Sequence, residues 1–442
     1  MKSIKNSLDK ESKTLIKNSK WVFIANIIGA GLGFLRSVFI ARGLGVEIFG
    51  TYMIIMGFVF FLKEFINLNL GSAIIKFGAE FKAQNRDDKF AVLIKRSIKV
   101  SAIMAVVLVV VTAGLILISY NTFIERPHLH SFVIGFAVAA GVTYFNNITQ
   151  ACLRLFYKFK MNSIIQIIMD CIETVILVSA VIISPKNLTL FFIAAIVTRF
   201  LNAFVCNIMG FWEMKRELWP HKNASDSLID EEYPVIRKFV IQNSLSNTLR
   251  SFIQQGDVLL LGTLAGAASV GFYSVAKKLA YSILTVTDPL VNSIFPQLSK
   301  LIAERKITEL KRMISKIARL AIIPSAVLLL VVLFIKSFII QMVYGVEYLP
   351  ATNPFFILLV NAVFGSVTFW VLPLVQSLGL VGLRLRIYSI MLVVGAGIAC
   401  LLIPVMLASG MAISMLVMNV VINLVFIYFS LQQMKPLVSR AV

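Results

Sequence analysis

Polar side chains recur at helical spacing within an otherwise apolar part of the chain, residues 237–262. They are Asn243, Asn247, Arg250, Gln254 and Asp257, so successive members are three or four positions apart. Residues at this spacing share one face of a helix. Amides, a guanidinium and a carboxylate can together donate to and accept from a polar ligand, and arginine binds phosphate through paired N–H groups. The segment is therefore predicted to be a helix with a polar face, not a loop.

Comparable polar faces occur in three further apolar segments, residues 21–41, 50–72 and 271–296. Glycines on such a face allow another helix or a bulky ligand to approach closely. The residues are Asn26, Gly29, Gly33 and Arg36 in the first segment, Tyr52, Lys63 and Asn67 in the second, and Tyr273, Lys277, Tyr281, Asp288 and Asn292 in the third. Polar groups on corresponding helices predict a shared, water-filled central cavity.

These charges are unusual only if the segments that carry them lie in a membrane, and the composition indicates that they do. Its 442 residues are 59% hydrophobic and 14% charged, with a mean hydropathy of +0.88. Apolar stretches of about 20 residues, long enough to cross a bilayer, recur throughout. The predicted spans 1 to 12 are 21–41, 50–72, 100–120, 131–152, 163–184, 189–212, 237–262, 271–296, 317–341, 354–378, 388–407 and 410–432. The predicted fold is an all-α polytopic membrane protein with about 12 transmembrane helices.

Charged side chains inside spans cost roughly 2.5–3.5 kcal/mol each unless they face protein or water. They are Arg36, Lys63, Glu64, Asp170, Glu173, Arg199, Arg250, Asp257, Lys277, Lys278 and Asp288. The alternative to a cavity is a rigid bundle in which they are satisfied by interhelical hydrogen bonds and ion pairs. For Asp170, Glu173 and Arg199 the two interpretations remain equally open.

Cations outnumber carboxylates on the polar faces of spans 1, 2, 7 and 8. Because Arg binds phosphate bidentately and Lys acts as a point charge, an anionic, phosphorylated substrate is favoured. The predicted substrate-binding residues are Arg36, Lys63, Arg250, Lys277, Lys278, Asn26, Asn247 and Gln254.

The spans form two halves separated by the long hydrophilic segment 213–236. The predicted organisation is a basic cytoplasmic segment 1–20, an N-lobe 21–212, a cytoplasmic linker 213–236, a C-lobe 237–432 and a cytoplasmic tail 433–442. Six spans per lobe imply a parallel repeat about a pseudo-two-fold axis along the membrane normal. A shift of 221 residues supports it, since Asn26, Gly45, Gly50 and Tyr52 then align with Asn247, Gly266, Gly271 and Tyr273.

The net charge of +21 is explained by membrane topology. Most Lys and Arg residues fall on one side, and the opposite side holds only Arg42, Arg126 and Lys186. By the positive-inside rule both termini are predicted to be cytoplasmic, in the cell (inner) membrane. Basic patches then meet anionic membrane lipids, and nucleic acid is not an expected partner. Cysteines and histidines lack ligand spacing, so no metal or cofactor is assigned.

Three segments resemble a known family: NSKWVFIANIIGAGLGFLRSVFIARGLGVEIFGTYMII, QQGDVLLLGTLAGAASVGFYSVAKKL and MVYGVEYLPA. The chain is similar over essentially its whole length to the polysaccharide-transporter and O-antigen (Wzx-type) flippase family of the multidrug/oligosaccharidyl-lipid/polysaccharide (MOP) exporter superfamily. The resemblance implies two six-helix lobes in a V around a cationic central cavity. The positions that match the family's cavity-lining charges are Arg36, Lys63, Arg250, Asp257 and Lys277.

The resemblance also implies a function: transfer of an undecaprenyl-diphosphate-linked oligosaccharide, an O-antigen, capsule or exopolysaccharide repeat unit, to the outer leaflet. A polysaccharide polymerase and glycosyltransferases are expected partners. One alternative is a multidrug/cation antiporter of the same superfamily, whose cavities tend to be acidic. A membrane glycosyltransferase or polymerase is another, disfavoured by the short external loops. Twelve spans disfavour the lipid II flippases, which typically have two more.

Alternating access is the predicted mechanism, and no enzyme activity is expected. The sequence lacks GxxxxGK[ST] for ATP, so the drive is expected from an H+ or Na+ gradient or the membrane potential. The 221-residue shift aligns Arg36 with Asp257, and these two are predicted to approach across the cleft and close its external side. Glu64 and Asp288 are assigned with them to gating or coupling.

Overall fold

The fold is described from a computed structural model. It describes residues 2–118, 129–218, 224–282 and 306–439, together with positions 220, 294, 298, 301, 302 and 304. For helical residues 2–19, 218, 246, 250, 253, 254, 381 and 435–439 only the backbone is described.

The described residues form helices and no strands. We number them α1 Lys2–Leu44, α2 Val46–Ile66, α3 Leu70–Ala83, α4 Asp87–Ile118, α5 His130–Leu155, α6 Phe159–Ile183, α7 Leu188–Leu218, α8 Tyr233–Tyr281, α9 Ile307–Tyr344, α10 Thr352–Val367, α11 Val371–Ser377 and α12 Val381–Ser439. Short 3-10 helices occupy Asp226–Ile229 and Val346–Ala351.

The described part of the chain contains 10 helical stretches apolar and long enough to cross a membrane. One of these, Gly382–Met434, includes a break at Leu407, where φ is 49°. That break separates predicted spans 11 and 12. Gly266, with φ of 74°, likewise breaks α8 between predicted spans 7 and 8. The prediction of an all-α polytopic membrane protein is confirmed.

The membrane span predicted over 50–72 lies within the apolar stretch Val46–Ala83, but it is not one continuous helix. α2 ends at Ile66 and α3 begins at Leu70. Between them the Asn69 N–H donates to Asn67 Oδ1 at 3.0 Å, and Asn69 adopts φ 39°. Asparagine side chains offer the backbone local hydrogen bonds that compete with the helix, and Asn tolerates the left-handed region. The chain is therefore interrupted here, just after Lys63 and Glu64.

The molecule divides into two compact units. Unit 1 contains residues 1–36 and 55–251, and unit 2 contains residues 37–54 and 252–442. Within unit 1, α4 to α7 and α3 pack on one another, and within unit 2, α9 to α12 do so. The lobe, linker and terminal boundaries given above remain predictions.

Within unit 2, the first residues of α2 cross α8 just after Gly266. At this crossing a glycine of each helix contacts a backbone carbonyl of the other. A Cβ on Gly50 would overlap the carbonyl oxygen of Ala267, and a Cβ on Gly271 would overlap that of Val46. The shift of 221 residues relates Val46 to Ala267 and Gly50 to Gly271. The contact is thus made twice, as a two-fold relation requires. Only glycine fits at these crossings.

The other aligned glycines, Gly45 and Gly266, both adopt positive φ, 78° and 74°. Each begins the turn that precedes a crossing glycine by five positions. The left-handed region is accessible to glycine at little steric cost. The repeat proposed from these positions therefore has a conformational basis.

The segments that carry the family resemblance also meet in unit 2. The Tyr348 hydroxyl donates to the carbonyl of Ala41 at 2.9 Å, and its ring packs edge-on against Phe272. Tyr344 contacts the Ser37 hydroxyl at 3.4 Å. Tyr344 and Tyr348 are both at most 2% exposed. We conclude that these motif residues form a packed joint between helix ends.

In unit 1, the segment before α8 is fixed to α4 by ion pairs. Asp226 pairs with Lys95 and Lys99 at 3.0 and 3.1 Å, and Asp230 with Arg96 at 2.6 Å. Hydrogen bonds from Lys95 and then Lys99 hold the pKa of Asp226 below its ordinary value. Lys89 and Glu232 form a further pair, and the hydrogen bond from Lys89 lowers the pKa of that carboxyl in the same way.

Candidate functional site

Unit 1 contains a partly open cavity of about 240 Å³ between α2, α5, α6 and α7. Five of its eight lining residues are polar or charged. The lining residues are Val59, Phe60, Lys63, Ala140, Thr143, Glu173, Arg199 and Asn202. At roughly 30 Å³ per water in the liquid, the cavity has room for a phosphate or diphosphate group with some water.

Lys63 is placed on the cavity wall by its position near the end of α2. Val59, Phe60 and Lys63 follow at helical spacing and share one face. The Tyr144 hydroxyl of α5 donates to the Lys63 carbonyl at 2.7 Å, which fixes this last turn. The ammonium lies 6.0 Å from the centroid of the Phe60 ring.

Glu173 is the carboxylate of the cavity, and it is paired. Its Oε2 lies 3.2 Å from Nη1 of Arg36, and each side chain is about one-fifth exposed. The pairing brings α1 close to α6. At Gly29 this approach is tight, since a Cβ there would lie 2.8 Å from Oδ2 of Asp170. The glycines of the α1 polar face therefore admit another helix.

Arg199 of α7 adds a second cation to the wall. Its guanidinium lies 3.7 Å from the sulfur of Met56. Among the described residues no ion pair within 4.0 Å involves Lys63 or Arg199, whereas Glu173 is neutralised by Arg36. The cavity wall is consequently cationic and suited to a phosphate or another anion.

Unit 2 contains a different cluster, centred on Asp257. Its side chain is fully buried, and Oδ2 accepts from the Tyr273 hydroxyl at 2.6 Å and lies 2.6 Å from the Lys277 ammonium. The N–H of Val258 donates to Oδ1 at 2.9 Å. Because Gly266 bends the chain, residues 16 and 20 positions apart reach the same carboxylate. The buried acid is thus satisfied from three directions.

A chain of amides extends from the same helix. Asn361 of α10 donates to the Tyr281 hydroxyl at 2.8 Å, and Asn419 of α12 donates to Asn361 Oδ1 at 2.7 Å. Asn423 then donates to Asn419 Oδ1 at 2.8 Å. Tyr273, Lys277 and Tyr281 recur every four residues on one face, so the two networks share α8. They link three helices of unit 2.

The predicted site residues are distributed over both units. Lys63 lines the unit 1 cavity, with Arg36 paired at its edge, and Lys277 pairs with Asp257 in unit 2. Glu64 accepts from Asn67 through its carboxylate at 3.5 Å and from Thr248 through its carbonyl at 3.2 Å. Asn26 and Lys278 are exposed, and Asn247 is half-buried.

Three of the predicted residues lie partly or wholly outside what is described. Arg250 and Gln254 belong to α8, but their side chains are not among the described ones, and Asp288 lies outside the described residues. The helix predicted around Arg250 and Gln254 is present, since α8 runs without interruption from Tyr233 to the break at Gly266. The substrate-binding and gating roles remain predictions.

Sequence reasoning gave no site role to several residues that the structure brings together. Arg199 and Glu173 were recognised only as charges within spans. Asn361, Asn419 and Asn423 were missed altogether. The spacing of four between Asn419 and Asn423 was the one available signal, since it places two amides on one face of an apolar helix.

The class of protein follows from this architecture together with the comparisons. Residues 15–302 match the family model described as polysaccharide biosynthesis protein, and the chain belongs to that family. It is a multi-pass membrane protein whose fold is similar to that of a MATE transporter of the MOP superfamily and of a lipid II flippase. The predicted polysaccharide-transporter family is confirmed by the family match.

Individual relatives are distant in sequence. The chain is 21% identical over 349 residues to inner membrane protein YghQ of Escherichia coli (strain K12), covering 77% of this chain and 95% of that one. An inward-facing multidrug resistance MATE family transporter of the MOP superfamily is 14% identical, with a TM-score of 0.69 over 95% of this chain and 100% of that one. Lipid II flippase MurJ, inward closed, is 13% identical, with a TM-score of 0.70 over 94% and 87%.

Proposed function

We propose that the protein moves a polyprenyl-diphosphate-linked oligosaccharide, an O-antigen, capsule or exopolysaccharide repeat unit, from the cytoplasmic to the outer leaflet. The observation that supports this most is the cationic wall of the unit 1 cavity. Lys63 and Arg199 face a space of diphosphate size, while the only carboxylate among its described lining residues is paired with Arg36. The family and the lipid II flippase with this fold agree with such a substrate.

In this mechanism the diphosphate enters the cationic cavity and the lipid tail stays in the bilayer. Alternating access then exposes the sugar on the other side. The further substrate contacts are assigned to Arg250, Lys278, Asn26, Asn247 and Gln254, whereas Lys277, predicted with them, is held by the buried carboxylate of Asp257. An H+ or Na+ gradient or the membrane potential supplies the drive. Glycosyltransferases assemble the repeat unit before transport, and a polymerase joins repeat units after it.

The test is transport in proteoliposomes. An NBD-labelled polyprenyl-diphosphate sugar in the inner leaflet becomes accessible to external dithionite only after it is moved to the outer leaflet. We expect Lys63→Ala and Arg199→Ala each to lower the rate at least tenfold, because removing a cation from a phosphate contact costs about 1.5–3 kcal/mol. Lys186→Ala, on the exposed α6–α7 connection, is the matched control.

Two results of this assay would contradict the proposal. Normal transport by both cavity variants would remove the cationic cavity as the substrate site. Transport of a cationic dye by the wild type, with no movement of the diphosphate lipid, would favour the antiporter alternative.

Gating by Arg36 and Asp257, with Glu64 and Asp288, is part of the proposal and has its own test. Charge-swap variants distinguish gating by Arg36 and Asp257 from the ion pair of Arg36 with Glu173. Transport restored by R36D/D257R relative to each single variant supports the gate. Restoration by R36E/E173R alone assigns Arg36 to its pair with Glu173 and contradicts the gate.

A further inference from the structure

A second cavity of about 280 Å³ lies in unit 1 between α3, α4, the 3-10 helix Asp226–Ile229 and the start of α8. Its wall is mostly apolar. Residues that form it include Leu70, Ala73, Leu93, Val100, Ile229 and Val240. None of the residues predicted to bind substrate is among its described lining residues, so this cavity is separate from the one containing Lys63.

The cavity lies where α4 changes from charged to apolar. In Asp87–Ile118 all charged residues fall between Asp87 and Lys99, and residues 100–118 carry none. At 1.5 Å per residue this 32-residue helix is about 48 Å long, more than the bilayer core of about 30 Å. The charged part therefore extends beyond the core. The α4 residues that line the cavity, from Leu93 to Val100, end at this boundary between the charged and the apolar part of the helix. Lipid phosphates are expected at such a boundary.

Two arginines border the cavity, and only one is occupied by protein. Arg96 pairs with Asp230 at 2.6 Å and its guanidinium lies 4.8 Å from the centroid of the Tyr233 ring. Arg237 is exposed and forms no ion pair within the described part of the chain. A cation at the mouth of an apolar cavity is suited to a ligand with an anionic head and an apolar chain.

An exposed apolar track continues from the cavity. On α4, Val100 is followed by Ile103 and Val107, which are 63% and 39% exposed. On α8, Arg237 is followed by Ile241 and Leu245, 49% and 54% exposed. These spacings of three and four keep each set on one face. An acyl chain that begins in the cavity can follow this track toward the apolar part of α4.

We propose that this cavity is a binding site for an anionic glycerophospholipid. The guanidinium of Arg237 binds the lipid phosphate through paired N–H groups, and one acyl chain occupies the cavity and the apolar track. The ion pairs of Asp226 and Asp230 hold the 3-10 helix against α4 and so keep the wall at Ile229 in place.

Native mass spectrometry of the full chain, exchanged into equal amounts of phosphatidylglycerol and phosphatidylcholine, tests the site. We expect the wild type to retain phosphatidylglycerol at least fivefold over phosphatidylcholine. Arg237→Gln should lose this preference, and Arg237→Lys should keep part of it. Lys238→Gln is the matched control, since Lys238 is the neighbouring exposed cation but does not line the cavity.

Two further variants test the apolar part of the proposed lipid site. Ala73→Leu fills the cavity and Ile241→Asn interrupts the track at an exposed position, and each should lower retention of both lipids at least threefold. Equal phosphatidylglycerol loss in Arg237→Gln and Lys238→Gln would overturn the assignment. So would wild-type retention in Ile241→Asn, a substitution at an exposed position that leaves the buried core of unit 1 unchanged. The readout is lipid retention alone and is independent of transport.

Discussion

The unit 1 cavity and the Asp257 cluster of unit 2 use the same residue types with opposite results. In unit 1, Arg36 and Glu173 pair at a partly exposed position, and Lys63 and Arg199 face open space. In unit 2, Asp257 is fully buried and accepts from Tyr273, Lys277 and the backbone. The first arrangement leaves positive charge for a ligand, whereas the second closes on itself.

This difference shows that a charge within a membrane helix has two distinct roles. A buried carboxylate that is fully hydrogen-bonded stabilises one packing of its helices, since breaking the pair leaves an uncompensated charge. A cation on a cavity wall contributes little to packing and remains available. We therefore expect variants in unit 2 to alter stability first, and variants in unit 1 to alter ligand binding first.

The strongest test of this contrast is Lys277→Met. The buried Asp257 carboxylate would lose its cation, and we expect a loss of about 3 kcal/mol in the free energy of unfolding. The double variant K277M/D257N should recover part of this, because the uncompensated charge is gone. Thermal unfolding of the purified protein in detergent measures both. Equal stability of Lys277→Met and Lys63→Met would break the comparison.

Glycine substitutions test the same contrast through packing. In unit 2 a Cβ on Gly50 meets the backbone of Ala267, which cannot move aside, so Gly50→Ala should cost about 1–3 kcal/mol. In unit 1 a Cβ on Gly29 meets only the Asp170 carboxylate, which can rotate. Gly29→Ala should therefore leave stability unchanged or raise it by up to about 1 kcal/mol, because Ala is the better helix former. A larger cost at Gly29 than at Gly50, measured by thermal unfolding, would contradict this view.

Removing the carboxylate of the unit 1 cavity tests the expectation that variants in unit 1 alter ligand binding first. Glu173→Gln leaves Arg36 without its partner and makes the wall more positive. We expect inorganic pyrophosphate to bind roughly threefold more tightly, because partly exposed charges are screened. Isothermal titration calorimetry measures the affinity, and weaker binding than in the wild type would show that the pair organises the site.

The smallest effect is expected for the exposed ion pairs of Asp226. Its folded-state pKa is lowered by Lys95 and Lys99, so its stabilisation is present above the unfolded-state pKa of about 3.9 and is lost as the pH falls through the lower folded-state value. Asp226→Asn should lower the melting temperature slightly at pH 7 and not at all near pH 2. A difference that persists in acid would show that another contact is lost.

Much of the fold could be predicted, because hydropathy and helical periodicity report directly on membrane helices. The polar face from Asn243 to Asp257 does lie on a helix. The break at Asn67 to Asn69 was missed because the apolar pattern continues across it, while the local hydrogen bonds of the two asparagines decide the backbone.

The candidate site was less accessible to sequence reasoning. Lys277 and Asp257 were both selected, but their pairing depends on the bend at Gly266, whose angle no periodicity specifies. Arg199 and Glu173 were recognised as unusual charges, and only tertiary packing could show which faced open space. Asn361 gave no signal, because a single amide in an apolar helix has no spacing to interpret.

The reciprocal contact of Gly50 with Ala267 and of Gly271 with Val46 has a consequence for which positions tolerate substitution. In a symmetric dimer one glycine and one carbonyl would make both contacts, whereas a single chain must supply each of them twice. Neither glycine can be replaced without a clash. The positions aligned by the same shift, Arg36 and Asp257, meet no such constraint and carry opposite charges.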